Sequence, residues 1–241
     1  MNFHEGEIIC INKPYRMSSF GALARARYLI SRRLGIKRMK TGHAGTLDPL
    51  ATGVLILCTG RATKRIEELQ LHTKEYTATL QLGATTPSFD MEHEVDATYP
   101  TAHITKDLIE NTLKRFVGEI QQVPPAYSAC KINGDRAYKL MRNGADVELK
   151  AKTLQIDKIE LVDFNPDTMQ AKIRVVCGKG TYIRALARDI GQALNSGAYL
   201  TALCRTRVGS IRIEDCIKLD DFEDWLNQQA IEDECYTSKQ K

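Results

Sequence analysis

Strand-like segments outnumber helical ones along this chain and do not alternate strictly with them, which restricts the folds open to it. "KEYTATLQLG" (74–83) sets Tyr76, Ala78, Leu80 and Leu82 on one face, the period of a half-buried strand. "GEIICINKP", "VLILC", "KTLQIDKIELVDF", "MQAKIRVVC" and "YLTALCRTRVGSI" also read as strands, the second short and wholly apolar. Helical patterns are fewer. "FGALARARYLISRRLG" follows Ser18 or Ser19 as cap and meets Gly35 as stop. "ITKDLIENTLKRFVG" starts behind Thr105 with Leu108, Leu113 and Phe116 as its apolar side, and "TYIRALARDIGQALNSG" is closed by Gly197. A doubly wound sheet needs regular strand–helix alternation, so the pattern predicts an α+β fold with a mixed, largely antiparallel central sheet flanked by helices.

Charge is distributed unevenly. Residues 13–65 hold twelve basic side chains against one acid, Asp48, a net charge of +11 in a chain whose total is only +4. Residues 214–234 hold nine acids against Lys218 alone. Concentrated positive charge points to a polyanionic partner and salt-sensitive binding, whereas a solvated face on one basic helix would be the bland explanation. No apolar run approaches the ~20 residues that span a bilayer, and "MNFHEGEIIC" lacks the basic and apolar regions of a secretory signal. Seven scattered cysteines without a C-x-x-C pair argue for reduced thiols in a cytoplasmic setting.

Several chemistries drop out. The five histidines have no metal-ligand spacing, and "GKG" at 178–180 lacks the spacing of a P-loop. No G-x-G-x-x-G follows a strand, no G-x-S-x-G occurs, and the H-x-E and P-C-x-x-C elements of zinc deaminases are missing. The expectation is an enzyme without metal or organic cofactor, or a binding protein. Asp48 stands in "GHAGTLDPLATGVL", where Gly42, Gly45 and Thr46 allow close backbone approach to a ligand and Pro49 stiffens the chain beyond. Surrounding cations favour an ionised carboxylate, and an ionised carboxylate on a loop can act as a nucleophile. A turn-forming aspartate is the commoner role for this residue type.

The wider stretch "GHAGTLDPLATGVLILCTGRATK" resembles the catalytic motif of the pseudouridine synthases that modify uridine 55 of bacterial tRNA. "NKP" (12–14) with "SS" (18–19), "KEYTATLQLGATTPSFD", "VPPAYSACKINGDRAY" and "CGKGTYIRALARDIG" follow in that family's order, so the likeness covers most of residues 7–210. The resemblance implies the pseudouridine synthase fold as one catalytic domain, a thumb-like RNA-clasping insertion at about 124–152, and a short acidic tail at about 214–241 in place of a PUA domain. It implies that Asp48 is the nucleophile and that Tyr76 stacks on the flipped base. Arg184 is then the active-site arginine with Asp90 as its acidic partner, Tyr182 and Leu203 line the base pocket, and His43 enters the folded T-loop.

Basic residues Arg32, Arg33, Lys37, Arg38 and Lys131 are candidates for the RNA backbone. The implied partner is the T-arm of tRNA, bound by a cytoplasmic monomer with no membrane attachment and no obligate protein partner. An RNA-folding chaperone, or the same chemistry on another RNA with a T-loop-like hairpin, would be the competing functions. Three departures stand out: Arg16 and Gly178 replace the family's usual glycine and serine, and "PSFDMEHE" replaces its T-D-T-x-D-x-x-G pattern.

Overall fold

The computed structural model describes residues 1–127 and 149–232, together with the backbone of 131–132 and 135–136. In chain order the elements are β1 (Ile8–Lys13), α1 (Ser19–Arg33), β2 (Thr41–Ala44), β3 (Ala51–Thr59), α2 (Ile66–Leu69), β4 (Lys74–Leu82), β5 (Ala84–Thr85), β6 (Ala97–Thr98), α3 (Lys106–Lys114), β7 (Gly118–Gln122), β8 (Lys131–Ile132), β9 (Asp135–Arg136), β10 (Lys152–Asn165), β11 (Gln170–Cys177), α4 (Ile183–Ala193), β12 (Ala198–Val208), β13 (Ile211–Arg212), β14 (Ile217–Lys218) and α5 (Phe222–Asn227). They form two compact units, Met1–His72 with Cys204–Lys241, and Thr73–Leu203. The strands make a mixed, largely antiparallel sheet with flanking helices, as the order of segments predicts.

In the first unit β1 runs antiparallel to β3 from Ile8↔Cys58 to Lys13↔Gly53, and β2 pairs with β3 from Thr41↔Thr59 to Ala44↔Ile56. On the other side of β1 the short β14 runs parallel, with Ile11 opposite Ile217. Ile9, Ile11, Leu55 and Leu57 of the sheet pack with Ala22, Leu23, Ala26, Leu29 and Ile30 of α1. Full burial of such aliphatic side chains contributes about 1.5–3 kcal/mol each, which is why this face of α1 is held down. The helix begins where the Ser18 hydroxyl accepts from Gly21 N–H, and ends in a Schellman turn at Gly35, with Ile36 N–H donating to Ser31 O. The acidic C-terminal segment also packs inward, since Leu219, Phe222 and Leu226 join the same core between their charged neighbours.

The second unit is built on β4, β11, β10 and β7, paired in that order with antiparallel registers such as Tyr76↔Val175 and Leu154↔Ile120. Alternate residues of β4, including Tyr76, Ala78, Leu80 and Leu82, face inward as the period of two requires. On α3 the buried face is Ile109, Thr112 and Leu113, one residue round from the expected Leu108 stripe. Helix α4 ends earlier than the sequence suggests. Asn195 takes the left-handed conformation (φ 50°), and Ser196 N–H donates to Gly191 O, so the chain leaves the helix before Gly197. Most of the expected insertion at 124–152 lies outside the described residues; within it β8 and β9 pair as a short antiparallel hairpin.

Gly53 is the position in β3 that no other residue fits. Its φ is +106°, and a Cβ there would sit 2.2 Å from the carbonyl oxygen of Arg205. Gly53→Ala should therefore destabilise the protein by roughly 3 kcal/mol or more, from backbone strain and overpacking together. Urea unfolding with an unchanged m-value is the measurement that checks it.

Candidate active site

Asp48 lies on the loop joining β2 to β3, half-buried, with its carbonyl accepting from Ala51 N–H at 3.1 Å. That loop is anchored at several backbone points. Ser19 Oγ, buried in the first turn of α1, accepts from Leu47 N–H at 2.8 Å and donates to Leu47 O at 2.9 Å. Arg205 reaches in from β12, Nε donating to Val54 O at 2.8 Å and an Nη to Gly45 O at 3.0 Å. Lys13, at the end of β1, is fully buried; its Nζ donates to Met17 O at 2.5 Å, Pro14 O at 2.9 Å and Pro49 O at 3.4 Å. The residues on both sides of Asp48 are thus held by side chains from three other elements.

Two buried cations under one carboxylate set the local electrostatics. Burial pushes the Lys13 ammonium down to about 8, the Asp48 charge opposes that fall, and Arg205 adds to it. Asp48 is in this way a counter-charge to Lys13, one of the cations that shape its own loop. His43, at the third position of β2, is partly exposed and paired in register with Leu57.

The remaining candidates belong to the second unit. Arg184 is the second residue of α4 and almost completely buried. Asp90 is an ionic partner of Arg184, its Oδ2 lying 3.7 Å from Nε. The guanidinium's Nη atoms donate to carbonyls, Ser88 O at 3.0 Å and Tyr127 O at 2.8 Å. Asp90 is in turn fixed by Ser88, whose hydroxyl donates to Oδ1 at 2.6 Å, and by Glu92 N–H at 3.0 Å.

Tyr182 caps α4, gripped on both backbone groups by the buried side chain of Gln122: its N–H donates to Oε1 at 2.9 Å and its carbonyl accepts from Nε2 at 3.2 Å. Tyr76 is 9% exposed on the inward face of β4, and Leu203 is partly buried on β12. Arg32 is engaged by Glu223 and Arg25 by Asp220, so part of the basic helix is already matched by the acidic segment. These pairs are exposed and worth about 0–1 kcal/mol each, weak enough for a phosphate to displace. Arg33, Lys37 and Arg38 are exposed; the side chain of Lys131 lies outside the described residues.

Lys13, Arg205, Ser88 and Gln122 were not singled out from sequence. Lys13 could have been, since it stands in the "NKP" motif and ends a strand whose pattern demands an inward residue. Nothing in the local sequence marks Arg205 or Gln122, because their partners are backbone atoms 60 to 160 residues away, and nothing marks Ser88, whose hydroxyl meets the Asp90 carboxylate two residues on.

The titration of Lys13 has a defined sign. Folded Lys13 releases its proton near pH 8 and the unfolded chain near 10.5, so between these values the unfolded state binds more protons and this group makes stability rise with pH. Asp48→Asn removes the charge that holds the ammonium and should move the start of that rise below pH 8. The thiols of partly buried Cys10, buried Cys58 and partly buried Cys216, pushed up by burial to about 11, 11 and 12, act oppositely above pH 9 in both proteins. The difference between wild type and Asp48→Asn in urea unfolding, from pH 6.5 to 9.5 in steps of about half a unit, therefore isolates the Lys13 contribution.

Residues 31–183 match the N-terminal domain of the TruB family of pseudouridylate synthases, and residues 184–238 the C-terminal domain of tRNA pseudouridylate synthase B. A protein of Phocaeicola vulgatus named tRNA pseudouridine synthase B is 65% identical over 233 residues, which cover 97% of this chain and 98% of that one. The protein of that name in Francisella philomiragia is 45% identical, over 93% of this chain and 72% of its own. Among solved structures, a chain of a Cbf5–Nop10–Gar1 complex superposes with a TM-score of 0.69 at 29% identity, over 93% of this chain and 55% of that one. The chain belongs to the TruB family of pseudouridylate synthases.

Proposed function

We infer that the protein isomerises uridine to pseudouridine at position 55 in the T-loop of tRNA, with Asp48 as nucleophile. The observation that carries this reading is the placement of Asp48. It is the one acid in a segment of twelve basic residues, on a loop pinned at Gly45, Leu47 and Pro49 by side chains of Arg205, Ser19 and Lys13. A nucleophile of this kind benefits from being fixed before substrate arrives, since positioning lowers the entropic part of the barrier. The relatives named tRNA pseudouridine synthase B support the substrate class.

The reaction needs no external reactant. The carboxylate of Asp48 forms a transient covalent bond to the nucleotide and the N1–C1′ bond breaks. Uracil turns, C5 bonds to C1′, the C5 proton leaves, N1 regains a proton, and the carboxylate is released. Atoms and electrons balance within the nucleotide, so neither oxidant nor leaving-group acceptor is required. Reaching the uridine means unstacking it at a cost of a few kcal/mol, which stacking on Tyr76 would offset in part. Arg184 and Asp90 serve as a charge-bearing pair for the bound nucleotide, Tyr182 and Leu203 as walls for the base, and His43 as the group that enters the T-loop.

Incubation with unmodified tRNA followed by pseudouridine mapping should give product at one T-loop uridine. Tight binding without product would favour an RNA chaperone, and product in a different hairpin RNA alone would move the substrate. Asp48→Ala and Asp48→Asn should lower turnover by about 10⁴-fold or more, the scale seen on removal of an enzyme nucleophile, while binding tRNA at least as tightly as wild type.

A further inference from the structure

The turn between β1 and α1 carries a feature that the reaction chemistry leaves unused. Tyr15 and Phe20 are 43% and 64% exposed, although large aromatic side chains are ordinarily drawn into the core. Between them Arg16 adopts φ +59°, the left-handed region that favours glycine and strains other residues. Its guanidinium lies over the Tyr15 ring, 5.6 Å from the centroid. Among the described residues no carboxylate lies within ion-pairing distance of Arg16, in contrast to Arg25 and Arg32 on the neighbouring helix. An exposed aromatic, a strained and unmatched arginine and a second exposed aromatic are costly to keep on a surface with no ligand.

The turn is also rigidly tied to the Asp48 loop. Lys13 Nζ donates to Pro14 O and Met17 O on one side and to Pro49 O on the other, while Ser19 holds both backbone groups of Leu47. Tyr15, Arg16 and Phe20 therefore sit on the segment whose backbone is joined to the residues flanking Asp48. Charge and shape both select a nucleic-acid strand. The guanidinium offers a fork to a phosphate, and a ring face accepts an unstacked base.

Resting on the reading that this protein acts on tRNA, we propose that Tyr15, Arg16 and Phe20 form an RNA-binding ledge beside the Asp48 loop, taking one backbone phosphate on Arg16 and an unpaired base on an exposed ring. The ledge holds the strand next to the nucleotide under attack; it is a binding surface and takes no part in bond making.

Arg16→Gly is the informative variant, because glycine relieves the left-handed backbone and leaves the fold intact. Fluorescence anisotropy with a T-arm stem-loop RNA across a salt series should show Kd raised roughly three- to tenfold and the slope of log Kd against log salt reduced by about one. Thermal unfolding should meanwhile be unchanged or shifted upward. Tyr15→Ala and Phe20→Ala, tested singly, should between them include one loss of roughly fivefold or more in affinity with the salt slope preserved, as expected for stacking. In turnover assays the loss falls on KM. Wild-type affinity and salt slope in Arg16→Gly, or wild-type affinity in both aromatic variants, would overturn the ledge. Absence of pseudouridine with the wild-type protein would instead overturn the functional reading, and the binding measurements would still decide on the ledge.

Discussion

Two buried cations in the first unit, Lys13 and Arg205, hold together what surrounds Asp48. A charge removed from water is strongly unfavourable unless it is paired or hydrogen-bonded, so each must find several acceptors in fixed places. Lys13 takes three carbonyls and Arg205 two, and those carbonyls belong to the turn after β1, the Asp48 loop and β3. The need to satisfy the cations therefore organises the backbone on both sides of the nucleophile. Gly53 follows from the same constraint, because β3 admits the Arg205 backbone at a distance that leaves no room for a Cβ.

Arg184 uses the same strategy in the second unit. Two of its hydrogen bonds run to the carbonyls of Ser88 and Tyr127, and Asp90 adds a charge 3.7 Å from Nε. Backbone acceptors let the fold itself orient the guanidinium. Asp90 is oriented separately, by Ser88 and the N–H of Glu92. Gln122 does for Tyr182 what Ser19 does for Leu47: one side chain meets both backbone polar groups of one residue and so fixes its position. Apart from the local hold on Asp90, these are tertiary devices that join segments far apart in the chain.

The basic segment looks different once folded. Its charge was legible as a phosphate-binding signal, yet Arg25 and Arg32 meet Asp220 and Glu223 from the acidic end of the same unit. The acidic residues hid the apolar spacing of Leu219, Phe222 and Leu226, which places that segment in the core with α1. Among the described residues Arg16 meets no carboxylate, and there the backbone conformation is as informative as the charge.

The longest strands, the start of each long helix and the Asp48 loop were readable from sequence, because periodicity, capping hydroxyls and glycine punctuation act within a few residues, whereas β7 and the shortest strands were not. Ser18 and Thr105 cap as their positions imply, and β4 alternates as its residues do. The stop of α4 was not readable, since Asn195 and Gly197 both permit a left-handed turn, and Gly197 is needed for a different reason: a Cβ there would lie 2.6 Å from the Tyr99 ring. The sequence by itself determined the mixed α+β class, the motif loop and its lone carboxylate among cations. Tertiary structure alone decided which cations are buried and which carbonyls satisfy them, because burial and hydrogen-bond partners depend on segments that meet only when the chain has folded.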